Sequence, residues 1–414
     1  MKQKGSGNSR KTSISLIFLS IFILSISLLL LATEIKKIPA SDDLTDYVTD
    51  ILSQCKTLKN QNLCYNDKIS RLMDSPAKLS MEQAFNLIQL VQRERTSYMN
   101  CHILAHELSS KETAKDPNKW KEVILRCPNN VCNSGCSHGV FMERFKSEYL
   151  SDTQIDQIVP DLATACNPRA DWHPSKSDVR ECRHGLGHLG MYLTNADIVK
   201  SISLCKKINS DSANTDYEET CISAVFMQIF QPLDTDDVDL IKGVAPAKSQ
   251  ESVDEFCRRY SGTPYYACRK ESWIYFWEKI RTPEGLIQFC SYTADHEEQE
   301  KCYAQMMNAI TSNIAIKEND LTKLTDFCRQ LPSQFQPVCF ANAARRIVQI
   351  NIKFMDKAIV TCQTAEQASS ESGNRCYNLL IYYGGWIYNT NTKEYKDYCT
   401  RLPYSWSNKC LGFI

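Results

Sequence analysis

The feature that most narrows what this chain can fold into is the placement of its 20 cysteines. From Cys205 onward they fall into couples, 205/221, 257/268, 290/302, 328/339, 362/376 and 399/410, separated by 16, 11, 12, 11, 14 and 11 residues. The segments inside the couples are turn-like, with Gly-Thr-Pro before Cys268 and Leu-Pro-Ser before Cys339, and Gly and Pro punctuate chains at turns. The segments that follow the second cysteine read as helices, for example Cys268 to Trp277 and Cys339 to Ile347.

Taking the second member of each couple as a phase marker gives positions 64, 101, 136, 182, 221, 268, 302, 339, 376 and 410, with steps of 34 to 47 residues. A period of that size belongs to helix-turn-helix repeats. It predicts an all-α chain, an α-solenoid of about ten disulfide-linked helical hairpins over residues 46–414. First members occur at 55, then at 127, 166 and onward, so the second repeat lacks its own, which should fall near Leu90 or Val91. Cys101 and Cys132 are then left over and are expected to pair with each other, beside Cys55–Cys64, Cys127–Cys136, Cys166–Cys182 and the six couples above. Closing a loop of about 15 residues is worth about 3 kcal/mol in the chain-entropy account. Thin hairpins with small individual cores benefit most from such staples.

An even and large set of cysteines implies a disulfide framework in an oxidising, extracytoplasmic compartment. The N-terminus agrees. Lys2, Lys4, Arg10 and Lys11 precede an unbroken run of apolar and serine residues at 14–32. At about 1.5 Å per residue that run spans about 28 Å, close to the hydrocarbon thickness of a bilayer. The expected organisation is a cytoplasmic basic tail at 1–13, a transmembrane signal-anchor at 14–32, a linker at 33–45 and the extracytoplasmic repeat domain beyond, with the membrane as a partner through residues 14–32. Lys+Arg and Asp+Glu are both 48. There is no basic excess of the kind a nucleic-acid partner requires, and none is expected.

In its period and its stapled hairpins the chain resembles the Sel1-type and tetratricopeptide solenoids, and in particular the secreted, cysteine-rich helical-repeat proteins in which each unit carries a disulfide. The resemblance is one of architecture. It implies a right-handed superhelix with a concave face able to take a protein or peptide partner, and it carries no functional residues with it.

Aligning the repeats on the second cysteine brings out a pattern in the seven histidines. Cys101 is followed by His102 at +1 and His106 at +5, Cys136 by His138 at +2, and Cys182 by His184 at +2 and His188 at +6. His102/His106 and His184/His188 are i, i+4 pairs, which share one face of a helix. Equivalent positions of neighbouring repeats lie side by side. The five imidazoles of repeats at about 85–200 should therefore approach one point and form a metal centre, with the repeats at about 201–414 as scaffold. A nitrogen-rich set suits Zn, Cu or Fe better than Mg or Ca. Gly139, Gly185, Gly187 and Gly190 stand near these histidines, and glycine inside a helix costs about 1 kcal/mol relative to alanine. Close approach of a backbone or a ligand is the expected compensation.

Glu107 and Glu143 follow the histidines in sequence and are the candidate catalytic carboxylates, as a general base or as partners of an imidazole N–H. Neither zinc-protease nor c-type haem chemistry has support, because His106-Glu107 lacks the second histidine of H-E-x-x-H and Cys132 to His138 lacks C-x-x-C-H. His173 and His296 read as exposed loop residues. The sequence thus predicts a membrane-anchored, extracytoplasmic metal-binding helical-repeat protein with a multi-histidine centre, capable of redox or metal-dependent catalysis. The competing reading, from a different class, is a non-enzymatic disulfide-stabilised interaction scaffold in which the histidines only pack.

Overall fold

The computed structural model describes residues 44–74, 78–95, 101–129, 131–132, 135–145, 150–169, 172–210, 216–233, 235–388 and 390–412. The expected tail, the apolar run at 14–32 and the linker as far as residue 43 lie outside the described residues. The chain divides into two units, residues 1–53 and 54–414. Among the described residues all regular structure is helical apart from one isolated bridge between Arg169 and Trp172. No described helix is long and apolar enough to cross a membrane.

The α-helices are α1 (Thr45–Cys55), α2 (Gln61–Asp74), α3 (Met81–Glu94), α4 (His102–Ala114), α5 (Trp120–Leu125), α6 (Gly135–Phe145), α7 (Asp152–Ala165) and α8 (Lys176–Leu193). They continue as α9 (Ile198–Asn209), α10 (Asp216–Phe230), α11 (Thr235–Leu240), α12 (Gln250–Cys257), α13 (Thr263–Glu271), α14 (Trp277–Ile280) and α15 (Pro283–Cys290). The last are α16 (His296–Thr311), α17 (Leu321–Arg329), α18 (Gln336–Ile350), α19 (Met355–Ala368), α20 (Ser370–Ile387), α21 (Lys393–Thr400) and α22 (Tyr404–Leu411). Many of the starts are written into the sequence. Ser80/Gln83 and Ser151/Gln154 form capping boxes at α3 and α7, and Ser175/Asp178 closes the same reciprocal pair at α8. Each satisfies two backbone donors that the first turn would otherwise leave orphaned.

All ten expected disulfides form, including Cys101–Cys132, with Cα–Cα distances of 5.2 to 5.7 Å. The local bridges join the end of one helix to the start of the next, as α9 to α10 through Cys205–Cys221 and α17 to α18 through Cys328–Cys339. The second helices of these hairpins then pack each on the next in chain order: α2 on α4, α4 on α6, α6 on α8, α8 on α10, α10 on α13, α13 on α16, α16 on α18, α18 on α20 and α20 on α22. Flanked on two sides by neighbours and on a third by its own first helix, such a helix has little surface left for water. α6, α8, α10 and α18 accordingly bury residues around most of their circumference. A helix buried on most sides has no room for a broad polar face. α20 also meets α8 across the sequence.

One expected helix is interrupted. The run from Cys268 to Trp277 reads as a continuous helix, but it tightens to a 3₁₀ segment at Ser272–Phe276. Ser272 is fully buried there and turns its hydroxyl back to the Arg269 carbonyl at 2.8 Å, a local bond that competes with regular helix hydrogen bonding.

Candidate metal centre

The histidines lie on α4, α6 and α8, three successive second helices. Their spacing is set by small residues at the crossings. A Cβ at Gly139 of α6 would fall 2.2 Å from the His106 carbonyl oxygen, and one at Gly185 of α8 would fall 2.5 Å from the His138 ring. A Cβ at Gly187 would stand 2.1 Å from the Cys221 carbonyl of α10. These three glycines let backbones and rings approach as expected. Gly190 differs from expectation, since the nearest atom to its added Cβ is at 3.7 Å, ordinary contact.

The five rings form one contiguous group with His138 in the middle. Ring centroids are 4.6 Å apart for His102/His106, 5.1 Å for His102/His138 and 5.2 Å for His106/His138. On the other side His138 lies 5.6 Å from His184 and 5.8 Å from His188, which are 4.9 Å from each other. One nitrogen each from His102, His106 and His138 fall within 4.8 Å of one another, a set that could hold a metal ion.

The hydrogen bonds of the rings decide which nitrogens face inward. His102 Nδ1 lies 3.0 Å from the Cys132 carbonyl and His138 Nε2 lies 2.8 Å from the Glu181 carbonyl. A carbonyl only accepts, so these two ring nitrogens carry the proton and the opposite nitrogens carry lone pairs. For His102 the lone pair is on Nε2, 3.0 Å from His106 Nε2. For His138 it is on Nδ1, which is buried with no hydrogen-bond partner. In the second pair, His188 Nδ1 sits 2.5 Å from Gln228 Oε1, and the Nε2 atoms of His184 and His188 face each other at 3.2 Å. Two nitrogens bound to one ion at about 2.0 to 2.1 Å stand about 2.9 to 3.4 Å apart for right-angled to tetrahedral arrangements. Both Nε2 pairs meet that separation.

Electrostatics favours the neutral ligand form. Burial holds the basicities of His106, His138 and His184 well below that of an ordinary imidazole, with the charges of neighbouring histidines acting in the same direction. His188 is also lowered by burial, opposed by its bond to Gln228 and by the charge of Asp237. A metal displaces no proton from an imidazole that is already neutral.

The odd disulfide lies at this centre. Cys101 caps the start of α4, and its partner Cys132, at a left-handed φ of 54°, offers the carbonyl that orients His102. Non-glycine residues at positive φ are uncommon and concentrate where function constrains the chain.

The two candidate carboxylates lie elsewhere. Adjacent helical residues point about 100° apart, and Glu107, next to His106, turns towards α2, where it accepts from the Ser70 hydroxyl and lies 3.4 Å from Lys111. Glu143 accepts from Ser110 at 3.0 Å. Among the described residues neither joins the nitrogen group. His173 is exposed, as expected; His296 is exposed too, but it opens α16 rather than a loop and stacks on Phe335. Sequence reasoning missed Gln228 and the carbonyls of Cys132 and Glu181. A register seven residues after Cys221 would have flagged Gln228; backbone carbonyls leave no mark in a sequence.

No family model, curated protein sequence or solved structure matches this chain.

Proposed function

We propose that this chain is an extracytoplasmic metal-binding helical-repeat protein whose transition-metal centre, for Zn, Cu or Fe, is built from His102, His106, His138, His184 and His188. The observation that carries the reading is His138 Nδ1, a buried lone pair with no partner in the middle of a group of neutral imidazoles. An unpaired buried polar atom costs about 1 to 3 kcal/mol, and an ion among these rings would relieve it. The outward hydrogen bonds to Cys132, Glu181 and Gln228 are the supports that ligating histidines ordinarily have. When bound, the ion supplies Lewis acidity or redox chemistry; the imidazoles orient it and the surrounding helices limit water.

The rest of the reading follows the sequence. The ten disulfides point to an oxidising compartment. The basic tail and the apolar run at 14–32 are assigned as a membrane anchor, and the ordered packing of second helices supports a solenoid with its scaffold repeats at about 201–414. Calorimetric titration of the full chain with Zn²⁺, Cu²⁺ and Fe²⁺ tests the centre. Saturable binding at one or two ions per chain, lost in His138→Ala, is the expected result. Binding that is absent, or unchanged in His138→Ala, leaves the scaffold reading in place.

A further inference from the structure

We propose that Arg180, Arg345 and Arg346 form a binding site for a small oxyanion, phosphate or carboxylate, one helical turn from the imidazole group.

Arg180, His184 and His188 stand at i, i+4 and i+8 of α8 and so occupy one stripe of that helix. Four residues of helix rise about 6 Å, so a group held at Arg180 lies a few bond lengths from His184. The charge of Arg180 acts on the His184 ring. The other two arginines come from far along the chain: Arg345 and Arg346 lie on α18, which packs on α20, and α20 meets α8. Arg180 lies over the Trp386 ring of α20 at 5.8 Å and Arg345 over Tyr383 at 5.9 Å. Arg345 feels the charges of both Arg180 and Glu181.

What marks these residues is that two guanidiniums share one neutral acceptor, Gln349. Arg345 donates to Asn308 at 2.6 Å, to Asn342 at 3.3 Å and to Gln349 at 3.4 Å. Arg346 donates to Ser312 and to Gln349, each at 3.0 Å. Among the described residues neither touches a carboxylate. Other cations are paired with carboxylates, as Arg375 with Glu300 through two bonds of 2.8 and 2.7 Å and Lys270 with Glu219 at 2.7 Å. The buried Arg183 also has neutral partners, in Asn167 and the Ala163 carbonyl, but it stands singly, whereas Arg345 and Arg346 converge on Gln349. Among the described residues, Glu181 is the one carboxylate in ion-pair reach of any of the three arginines. Arg180 reaches it at 3.4 Å. Three guanidiniums thus share at most one negative charge. Desolvation, reinforced by Arg345, pushes Arg346 down to about 10. Desolvated charge without a counter-charge is costly, and adjacent guanidinium forks match the oxygens of phosphate or carboxylate.

As the anchor of a substrate for the metal centre, the site rests on the function proposed above; as an anion site it stands alone. The test is calorimetric titration of the full chain, metal-loaded and metal-stripped, with inorganic phosphate and separately with succinate, at matched chloride ionic strength. Saturable binding of at least one of the two, weakened at least tenfold in Arg345→Gln and in Arg346→Gln, is expected, and whichever binds tighter names the ligand class. A phosphate- or succinate-dependent rise in the thermal midpoint of the unaltered chain gives the same answer if the variants fail to fold. Failure of both anions to bind and to raise the midpoint, or equal binding in both variants, overturns the inference. Anion binding by a chain that takes up no metal keeps this site and removes the metal reading; metal uptake without anion binding does the reverse.

Discussion

α8 and α18 are each tied by a disulfide to the helix before them, and they are built for different chemistry. Six residues after its staple cysteine, α8 presents His188; at the same offset from Cys339, α18 presents Arg345. Around the imidazoles the helices carry glycine and the rings are close enough to share an ion. Around the guanidiniums α18 carries Ala341, Ala343 and Ala344, and the side chains reach outward to neutral amides. The lesson is that the disulfide-phased helix fixes where a side chain stands, whereas the small residues beside it decide whether neighbouring side chains can converge.

The sharpest way to break that comparison is to delete one group from the imidazole cluster, on α6 beside α8, and one from α18. His138→Ala lowers metal affinity by more than the roughly 100-fold that marks the upper range for losing a ring's supporting partner, while Arg345→Ala leaves metal affinity unchanged; competition with a chelator reads both. Gln228→Leu, which removes only the partner of His188, lowers metal affinity by about 10- to 100-fold in the same assay.

The disulfides divide in the same way. Replacing Cys328 and Cys339 together by serine costs about 3 kcal/mol of stability and leaves metal binding intact. Replacing Cys101 and Cys132 costs a similar amount and also weakens metal binding about tenfold or more, because the Cys132 carbonyl that orients His102 is released. Denaturant unfolding and metal titration on the two double variants separate these outcomes.

The depressed basicity of His106, His138, His184 and His188 gives a pH signature. Protons compete for a ligand nitrogen only below its own titration point, and here that point lies below the ordinary imidazole value. Bound metal should therefore be retained as pH falls from about 8 to about 6, where an ordinary imidazole begins to protonate. Loss of metal in that interval, seen on dialysis, would place the rings in a wetter setting than described. The smallest effects come from the glycines. Gly139→Ala forces the His106 backbone aside and costs about 1 to 3 kcal/mol. Gly190→Ala meets only ordinary contact and gains up to about 1 kcal/mol from helix propensity.

The staples and the histidine register were legible in the sequence for one physical reason: helices that are tied by cysteines and packed in chain order convert a fixed offset from a cysteine into a position in space. That logic paired all the cysteines, Cys101 with Cys132 included, and brought His102, His106, His138, His184 and His188 together. It failed where direction or distance was not periodic. Glu107 follows His106 yet faces another helix, since helix neighbours diverge. Gly190 looked like its neighbours Gly185 and Gly187 but has nothing pressed against it. Arg180 and Arg345 come to the same helix, over Trp386 and Tyr383, because α20 returns to α8, a contact between distant helices that no local spacing encodes.

The most direct test of the central claim is elemental analysis of the full chain with its disulfides intact. The account predicts one or two equivalents of a transition metal in the unaltered protein, and loss of at least one in His138→Ala with the helical content unchanged. Absence of stoichiometric metal from the unaltered protein even after exposure to Zn²⁺, Cu²⁺ and Fe²⁺ would contradict it.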